Sequence, residues 1–131
     1  MTIGRLAKAA GVNVETIRYY QRRKLIAEPR KPPGGQRRYA AAVVGQIAFI
    51  RRAQQLGFSL DEIAGLIASR GDGDCRRARA IAESKLLVLE ARIAELERMR
   101  AGLEGLVTAC RETGGRKGCP IIAALAGDPP G

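Results

Sequence analysis

The chain contains no histidine and no tryptophan. Without an imidazole it lacks the side chain that most often moves protons near neutral pH, and the usual nitrogen ligand for zinc. It also has no Cys-x-x-Cys pair and no glycine-rich nucleotide loop, so dithiol oxidoreduction and cofactor chemistry have no seat, and an enzyme is not expected. Aromatic residues make up only 4% of the chain, which favours helices burying Leu, Ile, Val and Ala stripes over one large core. No segment approaches the roughly 20 apolar residues of a membrane span, and the opening "MTIGRLAKAA" lacks the apolar run of a signal peptide. A cytoplasmic location without a membrane partner is therefore expected. Thiols stay reduced there, so the odd set of three cysteines points to metal binding or reactivity and not to a disulfide frame.

What the chain does have is positive charge, and it is unevenly placed. The net charge is +10 over 131 residues. Residues 1–57 hold twelve Lys and Arg against Glu15 and Glu28, whereas residues 58–131 hold eleven basic against eleven acidic groups. The whole excess lies in the first part, so one module is built to face a polyanion and the other to do something else. A merely solvated basic face is the plain alternative.

The stretch "TIGRLAKAAGVNVETIRYYQRRKL" reads as two short helices around a tight turn. Thr2 can cap the first, and Gly11 stops it. Asn13 can cap the second, which runs to about Arg23 with Glu15 near its positive end. A helix, a glycine-containing turn and a second helix form the plan of a DNA-reading helix-turn-helix. Thr16, Arg18, Tyr19, Arg22 and Arg23 offer donors and phosphate partners on the second helix. Then "LIAEPRKPPGGQRRYA" breaks any helix and predicts a basic hairpin or wing, two short extended pieces around Gly34-Gly35. Arg30, Lys31, Arg37 and Arg38 flank that turn, with Tyr39 beside them. A helix over Ala40 to Leu56 follows, ended by Gly57. "SLDE" at Ser59 to Glu62 is a capping box opening another helix to about Ser69.

From Asp74 to Ala109 there is no proline, and glycine occurs only at 102 and 105. Ala82, Leu86, Leu89, Ile93, Leu96, Arg100, Leu103, Val107 and Cys110 step by four and three without a slip, the seam of a two-stranded coiled coil. Arg100 breaks its apolar character, with Met99 adjacent. The stripe could also cover the chain's own globular part, but no other apolar surface here is large enough for so long a helix. Cys75 and Cys110 lie five heptads apart, on one face of the helix but about 52 Å from each other, so they cannot meet or form a disulfide within one chain. In an antiparallel pair of helices, Cys75 comes beside the partner's Cys110, and Cys119 can reach the same place through the Gly114-Gly115 loop. Cys75 is placed in the first helical turn after Asp74. Cys119 can cap a short helix "PIIAAL" with Pro120 first, so both sulfurs would feel positive helix ends. Cys110 would sit at a negative end, offset by Arg111, Arg116 and Lys117. Three sulfurs without histidine or a fourth thiol suit a soft ion that accepts three-coordination; zinc and iron–sulfur clusters ordinarily want a fourth ligand. A thiol-redox DNA switch in which Cys110 and Cys119 form a loop disulfide is the competing reading.

These motifs, with "RRY" at the wing, "AQQLGFSLDEI", "CPIIAAL" and cysteines spaced by 35 and 9, resemble the MerR family over nearly the whole chain, and within it the mercury(II)-responsive members. The "PPGG" turn stands where the family pattern carries an aromatic. The resemblance implies a mainly α fold. A winged helix-turn-helix DNA-binding domain at 1–70 precedes a dimerisation helix at 71–110, paired as an antiparallel coiled coil, and then a metal-binding loop, short helix and tail at 111–131. It implies a homodimer on a palindromic promoter with RNA polymerase as a further partner, repressing without metal. Hg(II) held by Cys75, Cys110 and Cys119, two from one subunit and one from the other, would bend and untwist the DNA to activate. Pb(II) and Cd(II) are the alternative effectors. DNA contacts carried over by position are Thr16, Arg18 and Tyr19 on the reading helix and Arg37, Arg38 and Tyr39 on the wing.

Overall fold

Local chemistry at the helix ends accounts for most of the first half of the fold. In a computed structural model describing residues 1–71, 75–114 and 118–127, α1 spans Ile3–Ala10, with Thr2 accepting from the Arg5 amide. Gly11 ends it in the left-handed region at φ 70°, returning its N–H to the carbonyls of Ala7 and Lys8. Few residues other than glycine take that φ without strain. The second helix, α2, spans Val14–Arg22 behind an Asn13 cap. Next comes α3, Ala42–Gln55, after which Gly57 turns the chain at φ 89°. The fourth helix, α4, spans Leu60–Ser69 behind the expected capping box: the Glu62 amide donates to Ser59 Oγ at 3.2 Å, and the Ser59 amide donates to Glu62 Oε1 at 2.7 Å.

The chain divides into two units, Met1–Lys85 and Leu86–Gly131. In the first, Leu6, Ile17, Ile47, Ile50 and Ile63 are fully buried. Each such aliphatic side chain contributes about 1.5–3 kcal/mol on leaving water. Around them pack Tyr20, Leu25, Ile26 and Tyr39, so α1 to α4 share one small core.

The wing differs from the expected hairpin. Its turn forms, with the Gly35 amide donating to the Pro32 carbonyl at 3.1 Å and Gly34 at φ 69°. No strand is assigned between residues 26 and 40. Pro29, Pro32 and Pro33 have no amide proton, so a ladder across the turn would lack donors. Side chains replace it: Arg37 Nε donates to the Pro29 carbonyl at 3.0 Å and pairs with Glu28 at 3.1 Å. The Tyr39 backbone pairs instead with Met1, in two bonds of 2.7 and 2.8 Å.

A single helix, α5, runs unbroken over Arg76–Thr113, 38 residues, or about 57 Å at 1.5 Å per residue. It buries no residue. Within the second unit the predicted seam is bare: Leu86 is 55% exposed, Ile93 54% and Leu103 61%. The last helix, α6, spans Pro120–Ala126, with Cys119 as its cap residue, Pro120 first, and Gly127 closing it at φ 77°. No helix among the described residues is long and apolar enough to cross a membrane.

Candidate nucleic-acid interface and thiol groups

Helix α2, on which the expected DNA contacts lie, is held from beneath and organised on top. Ile17 and Tyr20 face the core. The Tyr20 hydroxyl donates to Gln54 Oε1 at 2.8 Å, and burial raises its pKa while the Arg51 cation acts the other way. Arg51 also reaches the carbonyls of Ala10 and Gly11 at 3.4 Å each, bracing the turn that sets the angle between α1 and α2. The outward face carries the expected residues. Thr16 donates twice to Asn13 Oδ1, from its amide at 2.8 Å and its hydroxyl at 2.9 Å, which fixes the first turn. Arg18 is tethered to Glu15 at 3.0 Å. Tyr19 is 41% exposed, with the guanidinium of Arg22 5.6 Å and that of Arg23 5.9 Å from its ring centre. Cation–ring contacts of this kind present an aromatic and a positive charge side by side.

Two expected residues are placed differently. Arg23 donates to the Tyr19 hydroxyl at 3.1 Å and to Asp61 Oδ1 at 2.9 Å; these two bonds raise its pKa and commit it to joining α2 to α4. Tyr39 is only 4% exposed, its hydroxyl accepting from Gln21 Nε2 at 2.6 Å. It anchors the end of the wing to α2. Gln21, Asp61 and Arg51 were not singled out by the sequence; the i,i+4 spacing of Ile17 and Gln21 alone hinted that Gln21 faces inward. Arg38 is exposed, and Arg18, Arg22, Lys31 and Arg37 line one open cleft between α2 and the wing. Four basic side chains against the single acidic Glu28 give this cleft a positive lining, a chemistry that suits a phosphate backbone.

The thiols lie at helix boundaries. Cys75 is exposed and immediately precedes α5; its carbonyl accepts the Arg79 amide at 2.8 Å, and its sulfur lies 3.6 Å from Arg79 Nη2. It is thus the residue flanking the helix, one position ahead of the first turn where it was expected, and Asp74 lies outside the described residues. Cys110 is half-buried in the last turns of α5. Cys119 is exposed at the start of α6. Gly115, Arg116 and Lys117 lie outside the described residues. Among the described residues of one chain, no three Cys, Asp or Glu side chains gather as metal ligands would. The donor set itself is all sulfur, and suits a soft ion of low coordination number.

The comparisons with known proteins agree with this geometry. Residues 1–70 match the family described as MerR HTH family regulatory protein, and residues 44–106 match that described as MerR, DNA binding. The chain is 51% identical over 127 residues to a mercuric resistance operon regulatory protein of Pseudomonas fluorescens, covering 97% of this chain and 88% of that one. It is 50% identical to the protein of the same description from Shigella flexneri, covering 98% and 89%. Among solved structures it is similar to the transcription regulator PbrR691 from Ralstonia metallidurans CH34 in complex with lead(II), with a TM-score of 0.82, 28% identity and coverage of 95% and 98%. With its basic helix-turn-helix, its long helix and these relatives, the chain belongs to the MerR family of DNA-binding transcription regulators.

Proposed function

We propose that this regulator is a mercury(II) sensor that binds promoter DNA as a homodimer, represses without metal and activates by distorting the DNA when Cys75, Cys110 and Cys119 hold Hg(II). The observation that carries the reading is the pairing of a bare apolar seam along α5 with a cysteine at each end of that same helix. Antiparallel pairing through the seam would cover the leucines and would bring Cys75 of one protomer beside Cys110 and Cys119 of the other. Three thiolates supply a soft, three-coordinate site, a donor set that Hg(II) accepts and zinc does not favour. The names of the relatives, mercuric resistance operon regulatory protein, point the same way. A lead(II)-bound structural neighbour supports a metal effector more generally.

On the DNA side, Thr16, Arg18, Tyr19 and Arg22 would read and grip the major groove, and Arg37 and Arg38 the backbone at the wing. Tyr39 acts from inside by fixing the wing to Gln21. Switching without release is indirect readout: the protein alters the deformation of its site, at a cost of a few kcal/mol by elastic estimates, and so changes how RNA polymerase meets the promoter.

The test is transcription in vitro with RNA polymerase, with and without stoichiometric Hg(II), alongside operator binding. Transcript should rise on adding metal while the operator stays bound; an unchanged transcript would refute the reading. Competitive titration with Hg(II), Pb(II) and Cd(II) should rank Hg(II) first, at two equivalents per dimer.

A further inference from the structure

We infer that the ion pair between Lys85 on α5 and Glu62 on α4 is the joint through which α5 sets the position of the reading helix, making Lys85 a positioning residue for the metal response. This inference rests on the regulatory reading above.

Lys85 Nζ lies 2.9 Å from Glu62 Oε1, with side-chain exposures of 17% and 26%. Every other ion pair between described residues is more open: Arg37–Glu28 is 43% and 54% exposed, Arg92–Glu95 60% and 48%. Open pairs are weak and screened by salt; a covered one holds its geometry better. The same Oε1 atom accepts the Ser59 amide at 2.7 Å and thereby closes the capping box of α4. One oxygen therefore serves both the start of α4 and the link to α5. A turn earlier on α5, Ile81 abuts α4 so closely that a Cβ on Gly65 would stand 3.0 Å from Ile81 Cδ1. Glycine at 65 lets the helices approach, and the ion pair one turn on fixes their rotation.

The first turn of α4 then faces the other way. Asp61, adjacent to Glu62, holds Arg23 at 2.9 Å in a more open pair, with side-chain exposures of 38% and 92%, and Arg23 is steadied by a second bond, donating to the Tyr19 hydroxyl at 3.1 Å. The contacts Lys85, Glu62, Asp61, Arg23 and Tyr19 form an unbroken line from α5 to the outward face of α2. Lys85 stands ten residues after Cys75, about 15 Å along the helix axis. A shift of α5 that withdraws Lys85 would alter the first turn of α4 and, through Asp61, the seat of Tyr19.

The experiment uses the full-length protein and an operator duplex selected by the wild type from a random pool, placed between the −35 and −10 elements of a test promoter. Lys85→Met keeps the stem and removes the charge. Glu62→Gln keeps an acceptor for the Ser59 amide. Lys85→Arg keeps the pair. The expected result is operator affinity and metal stoichiometry within twofold of wild type for all three. The Hg(II)-induced transcript ratio should fall at least fivefold in Lys85→Met and Glu62→Gln, fall no further in the double variant, and return to within twofold in Lys85→Arg. Full induction by Lys85→Met overturns the inference, and so does an equal loss of operator affinity and induction, which marks a purely structural role. Should Lys85→Met fail to fold, Glu62→Gln decides by the same criteria. A wild-type protein that binds the operator yet ignores Hg(II) refutes the regulatory reading, and the inference falls with it.

Discussion

Glu62 shows how much one side chain can be asked to do. Its carboxyl is held below its ordinary pKa of 4.5, chiefly by the Ser59 amide and then by Lys85. A depressed carboxylate contributes stability that is present above its unfolded-state pKa and is lost as pH falls through the folded value. Wild type should thus melt higher than Glu62→Gln at pH 7, and thermal scans should show that gap narrowing as the pH drops below about 4. A gap that persists at pH 2 would refute the assignment. Tyr39→Phe deletes the acceptor for Gln21 and should cost about 1 kcal/mol in denaturant melts. Operator affinity should fall with it if the wing depends on that anchor. Arg38→Ala, on an exposed side chain, should weaken binding alike across operator sequences and lower the slope of log affinity against log salt by about 1.

At the scale of elements, the caps were readable because they are local. Thr2, Asn13 and Ser59 each sit where a short oxygen-bearing side chain can reach an amide three residues on, and each does so. Asn13→Ala should accordingly cost about 1 kcal/mol of stability. The wing was half legible: Gly34-Gly35 marked the turn, but the sequence could not show that Met1 would take the backbone of Tyr39 and leave the proline-rich arms without a ladder. Tyr39 and Arg23 looked like DNA contacts because their residue types suit phosphate; only the packing turned one inward and gave the other to Asp61. The Lys85–Glu62 joint was hidden for the same reason, since nothing in the spacing says which face of α5 meets α4. The long helix that carries the heptad stripe was visible in the spacing, and Leu86, Ile93 and Leu103 of that stripe are bare in the single chain. Leu96→Asp, placing a charge in that seam, should convert the proposed dimer to monomers by sedimentation and abolish metal uptake at the proposed shared thiols, while leaving the melting of the first unit unchanged.

For the whole molecule, segregation is the governing feature: net charge gathers in residues 1–57, while all three thiols lie from Cys75 onward. Cys75→Ser should lower Hg(II) affinity at least tenfold in competition with a small dithiol, with operator binding by the metal-free protein unchanged. An identical metal affinity would leave Cys110 and Cys119 as a site by themselves. Lost affinity for both ligands would mean that the two regions do not work apart.

The same partition reaches the chromophores. With no indole in the chain, Tyr19, Tyr20 and Tyr39 are its only strong ultraviolet emitters, and all three belong to the first unit, two of them in its core. Near-ultraviolet dichroism and tyrosine fluorescence will report the first unit, Cys75 included, whereas the second, with Cys110 and Cys119, is optically dark until a reagent or ion meets its sulfurs. Two separate signals can be followed in one cuvette without attaching a dye.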